Sequence, residues 1–364
     1  MALPRDLVIE VLRAPQCCVG FSLREWDLLI RQARSADLLA RLAWTFKDLG
    51  LRDAVPPAPA AHLDAALRVA GLQHAEVRRE VGHVLQALSP LGVRPVLLKG
   101  AAYVMGGLPA ARGRVFSDLD ILVPRERLGD VEAALMQAGW ATTHHSAYDQ
   151  RYYREWMHEL PPMVHMRRQT ALDVHHGIAP LTGRWKPPSA ALLAAAGALP
   201  RDPRLAILAP VDLVLHSMVH LLLNEEFSHA LRDVSDLDLL LRHFGGEREF
   251  WVGFGLRVEQ LGLQRAAGHG LALVAATLNT PIPAKAYALA AVWVPLSPVV
   301  DLLRRAWERA LRSPHPSADD AWTTAARALL YVRAHALRMP PLMLAHHLVV
   351  KALGLHLRSA SKPT

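Results

Sequence analysis

The spacing of apolar residues divides this chain into two long helical stretches that flank a short segment of strands. Apolar residues recur at three- and four-residue intervals over residues 7–50 and again over residues 62–88, which is typical of amphipathic helices. The proline-rich stretch 54–60 separates the two, because proline cannot continue a helix. Helical periodicity returns after Pro188 and is predicted to run to residue 357. We therefore expect helices at both ends of the chain.

Between these helical stretches the pattern changes to short β-prone apolar runs bounded by turn residues. The predicted strands are residues 93–98, 119–123, 140–145, 163–167 and 170–178. Residues 125–138 have helical spacing, and Gly139 is placed to end that helix. The expected fold is therefore α+β, with a small mixed sheet of about five strands. Its predicted domains are an N-terminal helical region (1–74), an α/β core (75–180) and a C-terminal helical region (181–364).

Composition narrows the class of protein. Of the 364 residues, 52% are hydrophobic and 20% are charged, which excludes a largely disordered chain. The two cysteines, Cys17 and Cys18, are adjacent and cannot build a disulfide framework or a cysteine-rich zinc site. Asp6 and Glu10 interrupt the apolar N-terminal segment, which argues against a signal peptide. Together these features predict a cytoplasmic protein.

Two apolar stretches, residues 205–223 and 287–303, approach the length of a membrane span. The first contains Asp212, and Pro295 interrupts the second, so both are predicted to be buried core helices and no transmembrane segment is expected. The formal net charge is +8, which favours anionic partners such as nucleotides, and leaves nucleic acid binding through a basic surface open.

The segment that carries chemistry lies around residues 99–123. Asp118 and Asp120 are two residues apart in a predicted strand, so both carboxylates point to the same face while Leu119 points into the core. Two carboxylates about 7 Å apart along a strand are suited to sharing divalent Mg²⁺ ions.

A third carboxylate, Asp173, lies in a later predicted strand with Leu172 and Val174 facing the core. If the two strands are neighbours, the three acids form one cluster, which repels itself unless cations occupy it. Such a cluster is typical of a two-metal phosphoryl-transfer site.

Basic residues and a glycine stand beside the first predicted strand. Gly100 lets the backbone approach a ligand closely, and Lys99 and Arg114 add positive charge suited to a triphosphate. Three histidines are less specific candidates. His176 follows Asp173 in sequence and is a remote fourth candidate for the site. His216 and His220 share a helix face, where buried structural histidines are favoured over a zinc site.

These residues resemble the DNA polymerase β-type nucleotidyltransferase superfamily. The LKGAA segment that begins at Leu98, the spacing Arg114-x-x-Ser117-Asp118-Leu119-Asp120 and the LDVHH strand are more closely similar to a bacterial, largely uncharacterised nucleotidyltransferase family with an LKG…RxxSDxD signature. The resemblance covers about residues 75–245, because residues 231–241 also resemble a helical segment of that family.

The resemblance implies a polymerase β-like core that transfers a nucleoside monophosphate from an NTP such as ATP to an acceptor hydroxyl. Asp118 and Asp120 would hold Mg²⁺ or Mn²⁺, and Asp173 would hold the catalytic metal and help to deprotonate the acceptor. The residues implied to bind the nucleotide are Lys99, Gly100, Arg114 and Ser117. The chain departs from the superfamily pattern at one place. The usual Gly-Ser turn is Lys99-Gly100 here, and more residues than usual separate this turn from Asp118.

Several functions remain open from the sequence. The acceptor could be a small molecule, a peptide or protein, or RNA, as in a toxin-like or resistance-like transferase that acts on tRNA or a small molecule. A non-catalytic nucleotide-binding or scaffold protein of a biosynthetic assembly would use the same fold, and a metal-dependent phosphodiesterase would use the same acids.

Overall fold

The computed structural model describes residues 5–143 and 147–345. Four helices come first, and the start of α4 packs with α1–α3 around an apolar core that is separate from the core of the sheet. Asp6 caps α1, and Ser22 caps α2 through a reciprocal pairing with Glu25, so the sequence encodes both helix starts locally. The bounds are α1 Leu7–Arg13, α2 Leu23–Ser35, α3 Leu39–Asp48 and α4 Pro57–Leu88.

A mixed sheet of seven strands forms the centre of the described structure. Its strands are β1 Val96–Leu97, β2 Asp118–Leu122, β3 Trp140–Thr142, β4 Met163–His165, β5 Ala171–His175, β6 Gly197–Leu199 and β7 Asp202–Ile207. Their spatial order is β3-β4-β5-β2-β1-β7-β6. The β2–β5 and β1–β7 pairs are parallel, and the other neighbours are antiparallel.

Helices between the strands cover the sheet. Their bounds are α5 Lys99–Met105, α6 Leu128–Gln137, α7 Ala147–Arg151 and α8 Ser189–Ala195. A π-helical turn at Tyr152–Trp156 follows α7 and leads towards β4. The long helix α4 packs against α5, α6 and β2, and Leu119 and Ile121 of β2 belong to the same core cluster as Leu88 of α4.

Seven long helices follow the sheet: α9 Pro210–Leu223, α10 Ala230–Phe244, α11 Arg248–Gln260, α12 Gln264–Leu278, α13 Ala284–Trp293, α14 Pro298–Ala310 and α15 Thr323–Arg338. Helix α9 is buried over nearly its whole length, as expected for a core helix. Among the described residues, a membrane-spanning length of apolar helix is reached only by combining α13 with α14, and the two are bent by 118° relative to each other.

All five predicted strands occur in the sheet, but they are shorter than predicted or differ at their ends. The predicted strand 140–145 and the predicted helix that ends at residue 357 extend beyond the described residues. Two predictions are wrong. Residues 287–303, which were expected to be a buried core helix, form parts of α13 and α14, and their side chains are largely exposed, as at Val292 and Leu296. Residues 197–207, which were expected to be helical, form the β6–β7 hairpin. Strand β7 pairs in parallel with β1, a distant partner that periodicity within one segment does not reveal.

Candidate functional site

The pairing of β2 with β5 brings two of the predicted acids side by side. In the parallel register Asp120 stands opposite Asp173, and Asp118 stands opposite Ala171. Leu119 and Leu172, the residues between, are buried in the core. The expected alternation is therefore present, and both strands present their polar residues to the same face of the sheet.

Asp120 is buried and tightly paired. Its Oδ1 atom accepts a hydrogen bond from Lys99 Nζ at 2.8 Å and lies 2.9 Å from His175 Nε2. Burial alone would raise the pKa of this carboxyl, but the Lys99 ammonium and His175 hold it well below its usual range. Burial would likewise lower the pKa of Lys99, and the carboxylates of Asp120 and Asp118 raise it instead. The pair is therefore fully charged at neutral pH.

The pKa of Asp173 is shifted in the opposite direction from that of Asp120. Burial, together with the negative charges of Asp120 and Glu159, raises the pKa of Asp173 to about 7. A carboxyl in this position is only partly ionised at neutral pH. A bound cation would relieve the repulsion and favour the carboxylate, so the electrostatics of the cluster fit a metal site.

His175 links this acidic pair to a second group of polar residues. Its Nδ1 atom lies 3.2 Å from Glu159 Oε2, and Glu159 forms an isolated bridge to β5 at His175. Burial would lower the pKa of His175, but its contact with Asp120 and the charge of Glu159 raise it. The ring of His158 lies 5.3 Å from that of His175, and burial keeps the pKa of His158 well below its usual value.

Two groups of donor atoms therefore have the spacing of metal ligands. The atoms of Asp120, Asp173 and His175 lie within 4.8 Å of one another, and so do those of His158, Glu159 and His175. Carboxylate oxygens suit Mg²⁺ and Mn²⁺, whereas imidazole nitrogens suit transition metals. The residues present thus fit a divalent cation.

A polar cavity of about 360 Å³ opens beside the cluster. Asp173, His175 and Lys99 line it from the sheet side, and Asp120 lies behind them, in contact with two of the three. Other walls come from the π-helical turn, the end of α9 and the end of α15. Their polar lining residues include Tyr152, Tyr153, His216, His220, Asn224, Glu225 and Arg338.

Lys99 reaches this cavity from a strained backbone. Its φ is +43°, in the left-handed region that favours glycine, and the residue begins α5, separated from the end of β1 by one residue. Non-glycine residues in this region are typical of functional sites and cost about 1 kcal/mol or more. The Lys99 side chain is thus held beside Asp120 by backbone geometry as well as by charge.

Gly100 and Arg114 occupy a different place. The Nε of Arg114 donates to Asp236 Oδ2 at 2.7 Å in a buried ion pair, and an added Cβ at Gly100 would overlap the Phe116 ring and the Arg114 guanidinium. Among the described residues, neither Gly100 nor Arg114 lines the cavity beside Asp173. The glycine is required here by side-chain packing.

Ser117 and Asp118 stand at the exposed start of β2. The Ser117 hydroxyl donates to Asp118 Oδ1 at 2.9 Å, and both residues line a second, smaller cavity of about 260 Å³. Asp118 belongs to neither of the two donor groups found among the described residues, although its charge acts on Lys99 and on Asp173. The three predicted acids therefore share one face, with Asp118 at its edge.

Sequence reasoning missed Glu159 and His158, which lie in the segment between the π-helical turn and β4 with no informative spacing. It also singled out His176, whereas His175 contacts Asp120. The same alternation that places Asp173 favours His175, two residues on. His176 instead bonds through its backbone N–H to the His158 carbonyl at 2.8 Å, and burial lowers the pKa of its side chain to about 4.

Comparison with known families gives one match. A family described as uncharacterised nucleotidyltransferases matches residues 22–279, which is more than half of the chain and includes every residue of the acidic cluster. Searches of curated proteins and of solved structures gave no match. The acidic face on β2 and β5, the donor groups beside the cavity and this extended match agree, and the chain belongs to the uncharacterised nucleotidyltransferase family.

Proposed function

We propose that this protein is a Mg²⁺- or Mn²⁺-dependent nucleotidyltransferase with a polymerase β-like core, which transfers a nucleoside monophosphate from an NTP to a hydroxyl acceptor. The observation that carries the proposal is the register of β2 and β5. It sets Asp120 beside Asp173 on one face, with Asp118 two residues away and a polar cavity in front. This is the arrangement that phosphoryl transfer with divalent cations requires.

The carboxylates of Asp120 and Asp173 would hold the cation, with His175 as a further donor from β5. Asp118, at the edge of the same face, would be the third carboxylate ligand. When bound, a divalent cation stabilises the negative charge that develops on the transferred phosphoryl group. Asp173 lines the cavity, and a bound cation would favour its carboxylate form, which is the form that can accept a proton. We assign it the acceptance of the proton from the acceptor hydroxyl.

Lys99 is the residue best placed to contact the phosphates, because its ammonium lines the cavity next to Asp120. Ser117 orients the Asp118 carboxylate through its hydroxyl. Gly100 and Arg114, which the resemblance implied to bind nucleotide, are assigned to packing and to the ion pair with Asp236.

A second candidate function is a nucleotide-binding protein without transferase activity. The ion pair between Lys99 and Asp120 favours it, since this pair satisfies a key carboxylate with a protein cation. Such a protein would bind NTP without releasing pyrophosphate.

The proposal is tested with NTPs labelled separately at the α- and γ-phosphates. Wild-type protein and the Asp118→Ala/Asp120→Ala variant are incubated with Mg²⁺ and a host-cell extract. We expect label to pass to an acceptor from the α-position only, and only with the wild type. Transfer from the γ-position would indicate a kinase, and NTP binding without transfer or pyrophosphate release would support the second candidate function instead.

A further inference from the structure

Another cavity of the described structure lies apart from the acidic cluster. It measures about 670 Å³, a volume typical of a small-molecule site, and it lies between α12, the α13–α14 connection and α15. Its lining residues differ from those of the cavity beside Asp173, although α15 contributes to both. We call it the arginine cavity.

Three arginines line the arginine cavity: Arg184, Arg265 and Arg333. No acidic side chain lines it within residues 5–143 and 147–345, and none of the three forms an ion pair with a described carboxylate. Most buried or half-buried arginines elsewhere in this chain are paired, as Arg41 and Arg114 are with Asp236. Arg333 is half-buried, whereas Arg184 and Arg265 are exposed at the cavity, so three positive charges meet with no carboxylate among the described lining residues, which favours an anion.

Arg333 is the most deeply placed of the three. Its Nη1 donates to the carbonyl of Leu222 at 3.2 Å, which fixes the side chain at the cavity wall. Burial lowers the pKa of Arg333 to about 10, so the group is still charged at neutral pH. Burial, with the charges of Arg333 and Arg265, lowers the pKa of His269 in the same wall to about 4. The positive charge of the arginine cavity is therefore concentrated at the wall that holds Arg333 and Arg265.

The remaining wall is apolar and aromatic. Trp185, Trp293 and Leu303 line the interior, and Leu296 and Val299 at the mouth are 91% and 65% exposed. Large apolar side chains that stay this exposed at the rim of a cavity mark a binding surface. The cavity therefore combines a cationic end with an apolar entrance.

We propose that the arginine cavity binds an anionic group of the phosphate type that is joined to an apolar body. The arginines contact the anion, and Trp293, Leu296 and Val299 contact the apolar part. A phospholipid and a soluble phosphorylated apolar compound both have this chemistry, and the test separates them. The proposal is independent of nucleotidyl transfer, since the two cavities share no lining residue.

The probe is octyl phosphate below its micelle concentration, compared by calorimetry with its two halves, inorganic phosphate and octanol. We expect octyl phosphate to bind more tightly than either half. Loss of one charge-assisted contact in Arg333→Gln should weaken binding about 10-fold or more.

Because Arg333 also bonds to Leu222, a second variant guards against misfolding. The Arg184→Gln/Arg265→Gln variant changes two exposed side chains that form no ion pair among the described residues, and it should weaken binding by a similar factor. The matched control is Arg31→Gln, which removes a surface charge paired with Asp27 on α2. It should bind like the wild type.

Vesicles of phosphatidylcholine with or without phosphatidylglycerol identify the source of the anion. Retention on the anionic vesicles, lost in Arg333→Gln, assigns the site to a phospholipid. Octyl phosphate binding without vesicle binding assigns it to a soluble ligand. If wild type and both cavity variants bind octyl phosphate equally, or if the wild type does not bind it, the proposal is wrong.

Discussion

Asp120 and Asp173 are neighbouring carboxyls whose pKa values are shifted in opposite directions, and the difference comes from their partners. Lys99 and His175 stabilise the Asp120 carboxylate, whereas the pKa of Asp173 is raised by burial and by the charges of its acidic neighbours Asp120, Glu159 and Asp118. Environments that separate the pKa values of paired acids are typical of sites that use one group to hold charge and the other to exchange a proton.

Substituting Asp120 should affect both function and stability. In Asp120→Asn, the Lys99 ammonium loses its charged partner, and we expect loss of label transfer together with a decrease in unfolding free energy of about 3 kcal/mol. The control is Asp120→Asn/Lys99→Met, which should recover part of the stability and remain inactive. If Asp120→Asn is as stable as the wild type in urea unfolding, the ion pair does not stabilise the protein and the prediction is wrong.

The raised pKa of Asp173 predicts how stability depends on pH. The unfolded chain loses this proton near pH 4, and the folded protein keeps it until about pH 7, so the metal-free protein is destabilised as pH rises between these values. Asp173→Asn has no carboxyl to cause this loss of stability, and its Tm should exceed that of wild type by about 2 °C or more at pH 8 but not at pH 5. Mg²⁺ should raise the Tm of the wild type more at pH 8 than at pH 5. A Tm difference that is constant with pH would contradict the assignment.

At the scale of elements, the sequence predicts most of the sheet and the core of the site. Asp118, Asp120 and Asp173 were found from strict alternation, since apolar neighbours identify which side of each strand is buried. The β6–β7 hairpin was missed because its residues are mostly exposed and its partner β1 is about 100 residues earlier in the chain. Glu159 reaches the site from a loop, and Lys99 reaches it from a left-handed backbone conformation. The periodicity of hydrophobic residues predicts neither feature.

Helix α5 provides a prediction about packing. Gly100→Ala would place a methyl group against Phe116 and Arg114, and we expect a loss of about 1–3 kcal/mol in urea unfolding. Gly129→Ala on α6 is the matched control, because an added Cβ there has open space, and it should stabilise by about 0.5–1 kcal/mol. Equal effects of the two substitutions would show that Gly100 is not required by packing.

At the scale of the whole molecule, one carboxylate joins three separate parts of the chain. Asp236 of α10 accepts a hydrogen bond from Arg114 Nε, which precedes β2, at 2.7 Å, and its Oδ1 atom forms an ion pair with Arg41 Nη2 of α3 at 2.7 Å. All three side chains are at least nine-tenths buried. This network fixes the N-terminal helices and α10 to the strand that carries Asp118 and Asp120.

Asp236→Asn should therefore destabilise the molecule by about 3–5 kcal/mol, because two guanidinium groups lose their shared counter-charge. Asp27→Asn removes a carboxylate from an exposed pair with Arg31 and should change the unfolding free energy by less than about 1 kcal/mol. Urea unfolding measures both variants. A loss for Asp236→Asn no larger than that of the control would refute the role of this network.

The most direct test of nucleotidyl transfer is the rate of α-label transfer by Asp173→Asn. This substitution removes the aspartate that lines the cavity on β5 while leaving the Lys99–Asp120 pair intact, so the folded protein should persist. The control is Asp130→Asn, an exposed acid on α6 paired with Arg127. We predict that Asp173→Asn, with a Tm at least equal to that of wild type at pH 8, loses label transfer by about 100-fold or more, and that Asp130→Asn keeps it. Full transfer activity in a folded Asp173→Asn protein would contradict the account.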